Sequence, residues 1–187
     1  MTKGRRLKNL PASIRDHLFS LARSRGEDFQ LVLTRYGLER VMHRIGQSPY
    51  REQFILKGAM LFSLWSDEAH RATRDLDLLG RGASEIASLE AVFREIMTME
   101  VEADGLEFVE ESLRGARIRE DQEYEGVRLQ FELRLASARV PVQVDIGFGD
   151  AITPAAEEIV YPSLLDQSRP RLLAYPRETV VAEKFQA

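Results

Sequence analysis

The stretch Arg71-Ala72-Thr73-Arg74-Asp75-Leu76-Asp77-Leu78-Leu79-Gly80 (RATRDLDLLG, residues 71–80) decides the fold of this sequence. Its short apolar run carries two acids one residue apart and predicts a strand over 75–79. Side chains alternate along a strand. Asp75 and Asp77 therefore share one face, and Leu76 and Leu78 share the other. Two carboxylates side by side repel each other, so the arrangement calls for a cation.

Upstream lies FILKGAMLFSLW, residues 54–65. Phe54 to Leu56 reads as a strand, Lys57-Gly58-Ala59 as a turn, and Ala59 to Trp65 as a helix. Further back, Ser13 with Asp16 resembles a weakened capping box and opens a helix with Ile14, Leu18 and Leu21 on one face. A second helix is expected from Asp28 to Ile45, interrupted by Gly37 and broken at Gln47-Ser48-Pro49. Downstream, residues 83–99 predict an amphipathic helix (Ile86, Leu89, Val92, Phe93, Ile96), after which the chain reads as acidic and irregular.

Two strands alternate strictly: VRLQFELRL at 127–135 and VPVQVDI at 140–146. The short link from Ala136 to Arg139 suits an antiparallel hairpin. Pro141 has no N–H, so one side of its strand should be unpaired there. A last helix is expected from Pro176 or Arg177. It reaches Ala187 without a stop signal, which implies that the chain continues.

The 187 residues are 44% apolar and 30% charged, which suits one soluble domain with a sizeable core. No apolar run approaches the roughly 18 residues of a membrane span, and the basic N-terminus lacks the apolar core of a secretory signal. Cysteine is absent, which excludes disulfides and thiolate zinc sites and fits a cytoplasmic location. His17, His43 and His70 show no metal-ligand spacing. The net charge of -4 argues against a broad nucleic-acid surface. Residues 1–25 nevertheless carry seven Lys/Arg against one acid, and residues 85–125 thirteen Asp/Glu against four Arg. A loose basic tail and a solvated acidic face account for this; contact of the tail with a phosphate backbone is the sharper alternative.

Magnesium takes oxygen ligands, one or two carboxylates among them, and completes its shell with water and phosphates. A third carboxylate is expected from Asp145, an acid on the polar face of an otherwise apolar strand. Gly58, at a strand-to-helix turn, lets backbone N–H groups approach a phosphate. Together these suit phosphoryl or nucleotidyl transfer. Each part has a plainer reading: Asp75 and Asp77 could pair with Arg71 and Arg74, Gly58 could be a simple turn, and Asp145 could pair with Arg128 or Arg134. The ordered combination is what stands out.

Gly58, Asp75-Leu76-Asp77 and Asp145 resemble the pattern of the DNA polymerase β-type nucleotidyltransferase superfamily. The strings LKGAMLFSLW, HRATRDLDLLG, VQVDIGFGD and YPRETVVAEKF are closer to one branch, the nucleotidyltransferase toxins of the AbiEii/AbiGii type. The resemblance implies that Asp75, Asp77 and Asp145 bind catalytic magnesium and that Gly58 and the Ala59 amide hold nucleotide phosphates. It implies that Lys184 contacts the triphosphate and that Thr73 stands where some relatives are phosphorylated by an antitoxin. Phosphorylation there would set about two negative charges beside the carboxylates. The expected nucleotide-binding set is Lys57, Gly58, Ala59, Thr73 and Arg74. Two departures stand out: the family often has Gly-Ser or Gly-Gly where this chain has Gly58-Ala59, and it has a further helical region beyond the last helix.

The expected fold is α+β, a small mixed or antiparallel sheet with helices packed on one side. A basic arm and first helix span 1–25, and a nucleotidyltransferase domain cut short at its C-terminus spans 26–187. The resemblance implies a magnesium-dependent toxin that transfers NMP from NTP to RNA, the tRNA 3′ end above all, with a cognate antitoxin as partner. The alternatives are a non-catalytic nucleotide-binding module of the same fold and, further off, a glycosyltransferase or phosphatase built on Asp-x-Asp.

Overall fold

The computed structural model describes residues 9–65, 73–120, 124–149 and 152–186; among these, the side chains of 119–120, 124–125 and 183–186 are not described. Helix α1 (Leu10–Arg25) starts earlier than Ser13 implied. The Asn9 side chain accepts from the Ala12 N–H at 3.3 Å, and Pro11 sits in the first turn, where its missing N–H is harmless. Helix α2 (Phe29–Gln47) is capped by Asp28, which accepts from the Leu31 N–H at 2.9 Å. It runs through Gly37 without a break. A Cβ at Gly37 would lie 3.0 Å from Val140 Cγ1, so the glycine lets the helix settle close onto the sheet.

Seven strands form one mixed sheet in the order β3-β4-β5-β2-β1-β7-β6. They are β1 (Phe54–Lys57), β2 (Asp75–Gly80), β3 (Leu106–Glu120), β4 (Tyr124–Leu135), β5 (Ala138–Phe148), β6 (Glu157–Val160) and β7 (Arg171–Ala174). The β1–β7 and β2–β5 pairs are parallel and the other four antiparallel. The β4–β5 hairpin turns at Ala136-Ser137, tighter than the expected link. Pairing of β5 with β2 begins at Gln143, so Pro141 faces no ladder on that side, as its missing N–H requires. The sheet is larger than expected. The segment read as irregular after residue 99 contains β3, an edge strand bulged between Val109 and Arg114.

Helices α1, α2 and α4 (Ile86–Thr98) pack on one face. Leu76, Leu78, Val127, Leu129, Leu133, Val140, Val142, Val144 and Ile146 point there and are buried, and α1 adds Ile14, Leu18 and Ala22 to the same core. The α+β expectation with one-sided helices therefore holds. On α2, three charges are buried. Glu39 accepts from Ser163 Oγ (2.7 Å) and the Leu164 N–H (2.8 Å). Arg40 donates to the Ser168 carbonyl (2.6 Å), and Arg44 holds Asp104 with both terminal nitrogens. These bonds fasten the loop after β6 and the turn before β3 to α2. No described helix is long and apolar enough to cross a membrane.

Candidate active site

The site lies on the sheet's other face. Alternation along β2 buries Leu76 and Leu78 and leaves Asp75 and Asp77 half-buried on the opposite side. The strand registers then build rows across the sheet. Lys57 on β1 stands opposite Asp77, Asp77 beside Asp145 on β5, and Asp145 opposite Arg128 on β4. A second row joins Asp75, Gln143 and Gln130. Residues far apart in the chain thus meet because each occupies the polar phase of its strand.

Gly58 begins the turn after β1. Its φ of +74° favours glycine, and a Cβ there would lie 2.3 Å from Asp77 Oδ2. The turn is pressed against the carboxylate. The expected helix from Ala59 is a 3-10 turn, Gly58–Leu61, followed by one α turn, α3 (Phe62–Trp65). Backbone amides, rather than the dipole of a long helix, are what it offers an anion. Lys57 Nζ lies 5.9 Å from the ring centre of buried Tyr175, whose N–H donates to the Leu56 carbonyl at 2.9 Å. Half-buried Thr73 and exposed Arg74 lead directly into β2.

Asp145 is held firmly. Arg128 Nε donates to Oδ1 at 2.8 Å and Nη2 to Oδ2 at 2.7 Å. Gln143 Nε2 reaches Oδ2 at 3.3 Å, and Gln130 Nε2 reaches Gln143 Oε1 at 3.1 Å. The structure therefore brings together Lys57, Gly58, Asp75, Asp77 and Asp145, with Ala59, Thr73 and Arg74 adjoining in sequence. Lys184 lies in the last helix, α5 (Arg177–Gln186), but its side chain is outside the described residues, as are Arg71 and the basic residues of 1–8.

Asp75, Asp77 and Asp145 are hard oxygen donors of the kind magnesium takes, and the glycine at 58 leaves the Asp77 carboxylate room that a Cβ would fill. Their chemistry fits the ion. Among the described residues, however, no three acids or histidines are already gathered around one point, and both Asp145 oxygens face Arg128. Sequence reasoning weighed Arg128 only as a plain ion-pair partner and passed over Gln130 and Gln143. Their signal was the polar phase of β4 and β5, readable only once the register was known. Concavities of about 640 and 730 Å³ open elsewhere, at Asn9–Pro11 with Arg44 and at His43 with Ser168–Arg171. Neither is lined by the acidic row.

An acidic row on one face of a mixed sheet, met by a glycine turn, sets hard oxygen donors beside backbone amides, an arrangement suited to a cation and a phosphate. The chain belongs to the AbiEii family: the model for the nucleotidyl transferase AbiEii toxin of type IV toxin–antitoxin systems matches residues 40–187. Among solved structures, it is similar to a candidate nucleotidyltransferase from H. pylori (15% identity, TM-score 0.45, covering 81% of this chain and 56% of that one). It is also similar to JHP933 from Helicobacter pylori (14% identity, TM-score 0.46, covering 79% and 53%). The chain thus spans little more than half the length of either protein. No curated protein matches it.

Proposed function

We propose that the protein is a magnesium-dependent nucleotidyltransferase toxin that transfers NMP from an NTP to an RNA acceptor, the tRNA 3′ end. The observation that carries this reading is the Asp77–Asp145 pair in register beside Gly58, with Asp75 on the same face. Asp75 and Asp77 would hold the magnesium, with Asp145 as third carboxylate. When bound, the ion neutralises phosphate charge in the transition state. The Gly58 and Ala59 amides receive the phosphates, and Lys57, Thr73 and Arg74 line the approach. Lys184 contributes a point charge toward the triphosphate. A ribose hydroxyl of the RNA attacks the α-phosphate in line, the new P–O bond forms, and pyrophosphate leaves. Residues 26–187 are the nucleotidyltransferase domain, and 1–25 supply the basic arm and first helix. The protein acts in the cytoplasm and is silenced by a cognate antitoxin, for which Thr73 is the modification point.

The test is a transfer assay with total tRNA, each labelled NTP in turn, and magnesium, comparing the protein with Asp75→Asn. Label on tRNA that vanishes in Asp75→Asn supports the reading. The Arg128 grip on Asp145 and the Ala59 substitution favour a second reading, a nucleotide-binding module without transfer. Magnesium-dependent NTP binding with no label on any RNA would select it.

A further inference from the structure

The first row across the sheet has a sign pattern: Lys57 cation, Asp77 carboxylate, Asp145 carboxylate, Arg128 cation. Like charges side by side across a ladder destabilise it, and each carboxylate here has a cation on its outer flank. At Asp145 the compensation is complete in geometry. Both oxygens are taken by the Arg128 fork, and Gln143, itself held by Gln130, adds a third donor. The carboxylate oxygens are thereby committed to β4, although Asp77 is the adjoining residue on β2.

Arg128 reaches solvent from the edge of this clasp. Its side chain is 40% exposed while that of Asp145 is 20% exposed, so the guanidinium can swing out without opening the core. Its neighbour across the β3–β4 ladder is Ala116. A guanidinium fork accepts the two oxygens of a phosphate as readily as those of a carboxylate.

We propose that Arg128 is a positioning residue that exchanges partners. It clasps Asp145 while the site is empty, and it passes to a phosphate of the substrate once Asp145 turns to a divalent cation. The proposal rests on the nucleotidyltransferase reading. Before the exchange, Arg128 offsets one carboxylate; afterwards it offsets phosphate charge while the cation offsets Asp145. Cation binding then helps phosphate binding, and by reciprocity phosphate helps the cation by the same factor. The phosphate can belong to the nucleotide or to the RNA backbone, and the experiment separates the two.

The test measures manganese binding by electron paramagnetic resonance, without substrate, for the protein, Arg128→Met and Arg128→Lys. It then measures binding of each NTP and of total tRNA in the presence of manganese. Arg128→Met is expected to bind manganese about fivefold more tightly, since the clasp no longer competes. It is expected to bind the phosphate ligand about tenfold more weakly. Arg128→Lys keeps the charge without the fork and falls between. Weakening for NTP alone identifies the triphosphate as the second partner; weakening for tRNA alone identifies the RNA backbone. A merely structural Arg128 would shift both affinities in the same direction. Manganese affinity unchanged or lower in Arg128→Met, or phosphate binding unchanged, overturns the proposal. Should Arg128→Met fail to fold by circular dichroism, Arg128→Lys carries the same opposed comparison. A parent protein that binds neither manganese nor any NTP overturns the nucleotidyltransferase reading itself, a different result from parent binding with no change in the variants.

Discussion

Replacing Gly58 by alanine tests the site's geometry most directly. The substitution sets a Cβ 2.3 Å from Asp77 Oδ2 and 3.0 Å from Asp77 Cβ, in a residue whose φ is +74°. The left-handed backbone costs an L-residue about 1–2 kcal/mol. Forcing Asp77 off its rotamer adds about 0.5–1.5 kcal/mol. For a chain of this size, that total lowers Tm by roughly 3–14 °C. The functional loss is greater, because a reacting group misplaced by about 1 Å costs on the order of 100-fold in rate. The assays are a thermal melt and the tRNA transfer reaction. The same change in an Asp77→Ala background separates the two causes. Without the carboxylate, only the backbone strain remains, so Gly58→Ala should cost less there. Near-parental activity of Gly58→Ala, or a stability cost identical in the two backgrounds, would refute the idea that the glycine exists to make room for Asp77.

Three further outcomes follow from the core. Gly46→Ala drives a Cβ to 2.0 Å from the Arg171 carbonyl oxygen, where α2 meets β7. It should cost about 1–3 kcal/mol or more, seen as a lower urea midpoint with an unchanged m-value. Asp104→Ala strands the Arg44 guanidinium in the interior and should cost about 3–5 kcal/mol in the same titration. His43 has its pKa held below its ordinary value of 6.5, by burial first and then by the charges of Arg40 and Arg44, which outweigh Glu102 and Asp104. The unfolded chain therefore takes up a proton that the folded one refuses. His43 contributes stability above pH 6.5 that is lost as pH falls through its depressed folded value. Melts of His43→Gln should show a shallower loss of Tm below pH 6.5 than the parent.

Much of this was legible in the sequence because the decisive strands are half-buried. The run 54–56 reads as a strand from its brevity and apolar character, while the alternation in 75–79, 127–135 and 140–146 carries a period-two signal that also sets the face on which Asp75, Asp77 and Asp145 lie. Strand β3 was not legible. Glu107, Glu110 and Glu111 give it an acidic composition, and its bulge shifts the alternation partway along. Strands β6 and β7, four residues each, are too short to show a period. Gly37 looked like a helix breaker because its role is visible only against Val140. Nothing in the sequence marks Glu39, Arg40 and Arg44 as buried; their burial depends on a carbonyl, a hydroxyl, a backbone N–H and the Asp104 carboxylate contributed from far along the chain. Within the site, the Arg128–Asp145 clasp was one of two pairings that the sequence left open, and the register decided it.

The sheet order also governs when the site comes into being. Strands β3, β4 and β5 form a meander of sequential hairpins, whereas β2 must wait for β5 across the whole of that ribbon before Asp77 gains Asp145 as its neighbour. Such long-range parallel pairing is the slow kind. On the ribosome, a chain that has emerged only through β4 carries Asp75, Asp77 and Gly58 but no acidic row. Even after β5 appears, β1 lacks its second neighbour until β7 follows. Synthesis that stops before β5 therefore yields a fragment without the acidic row, which is assembled only as the sheet closes.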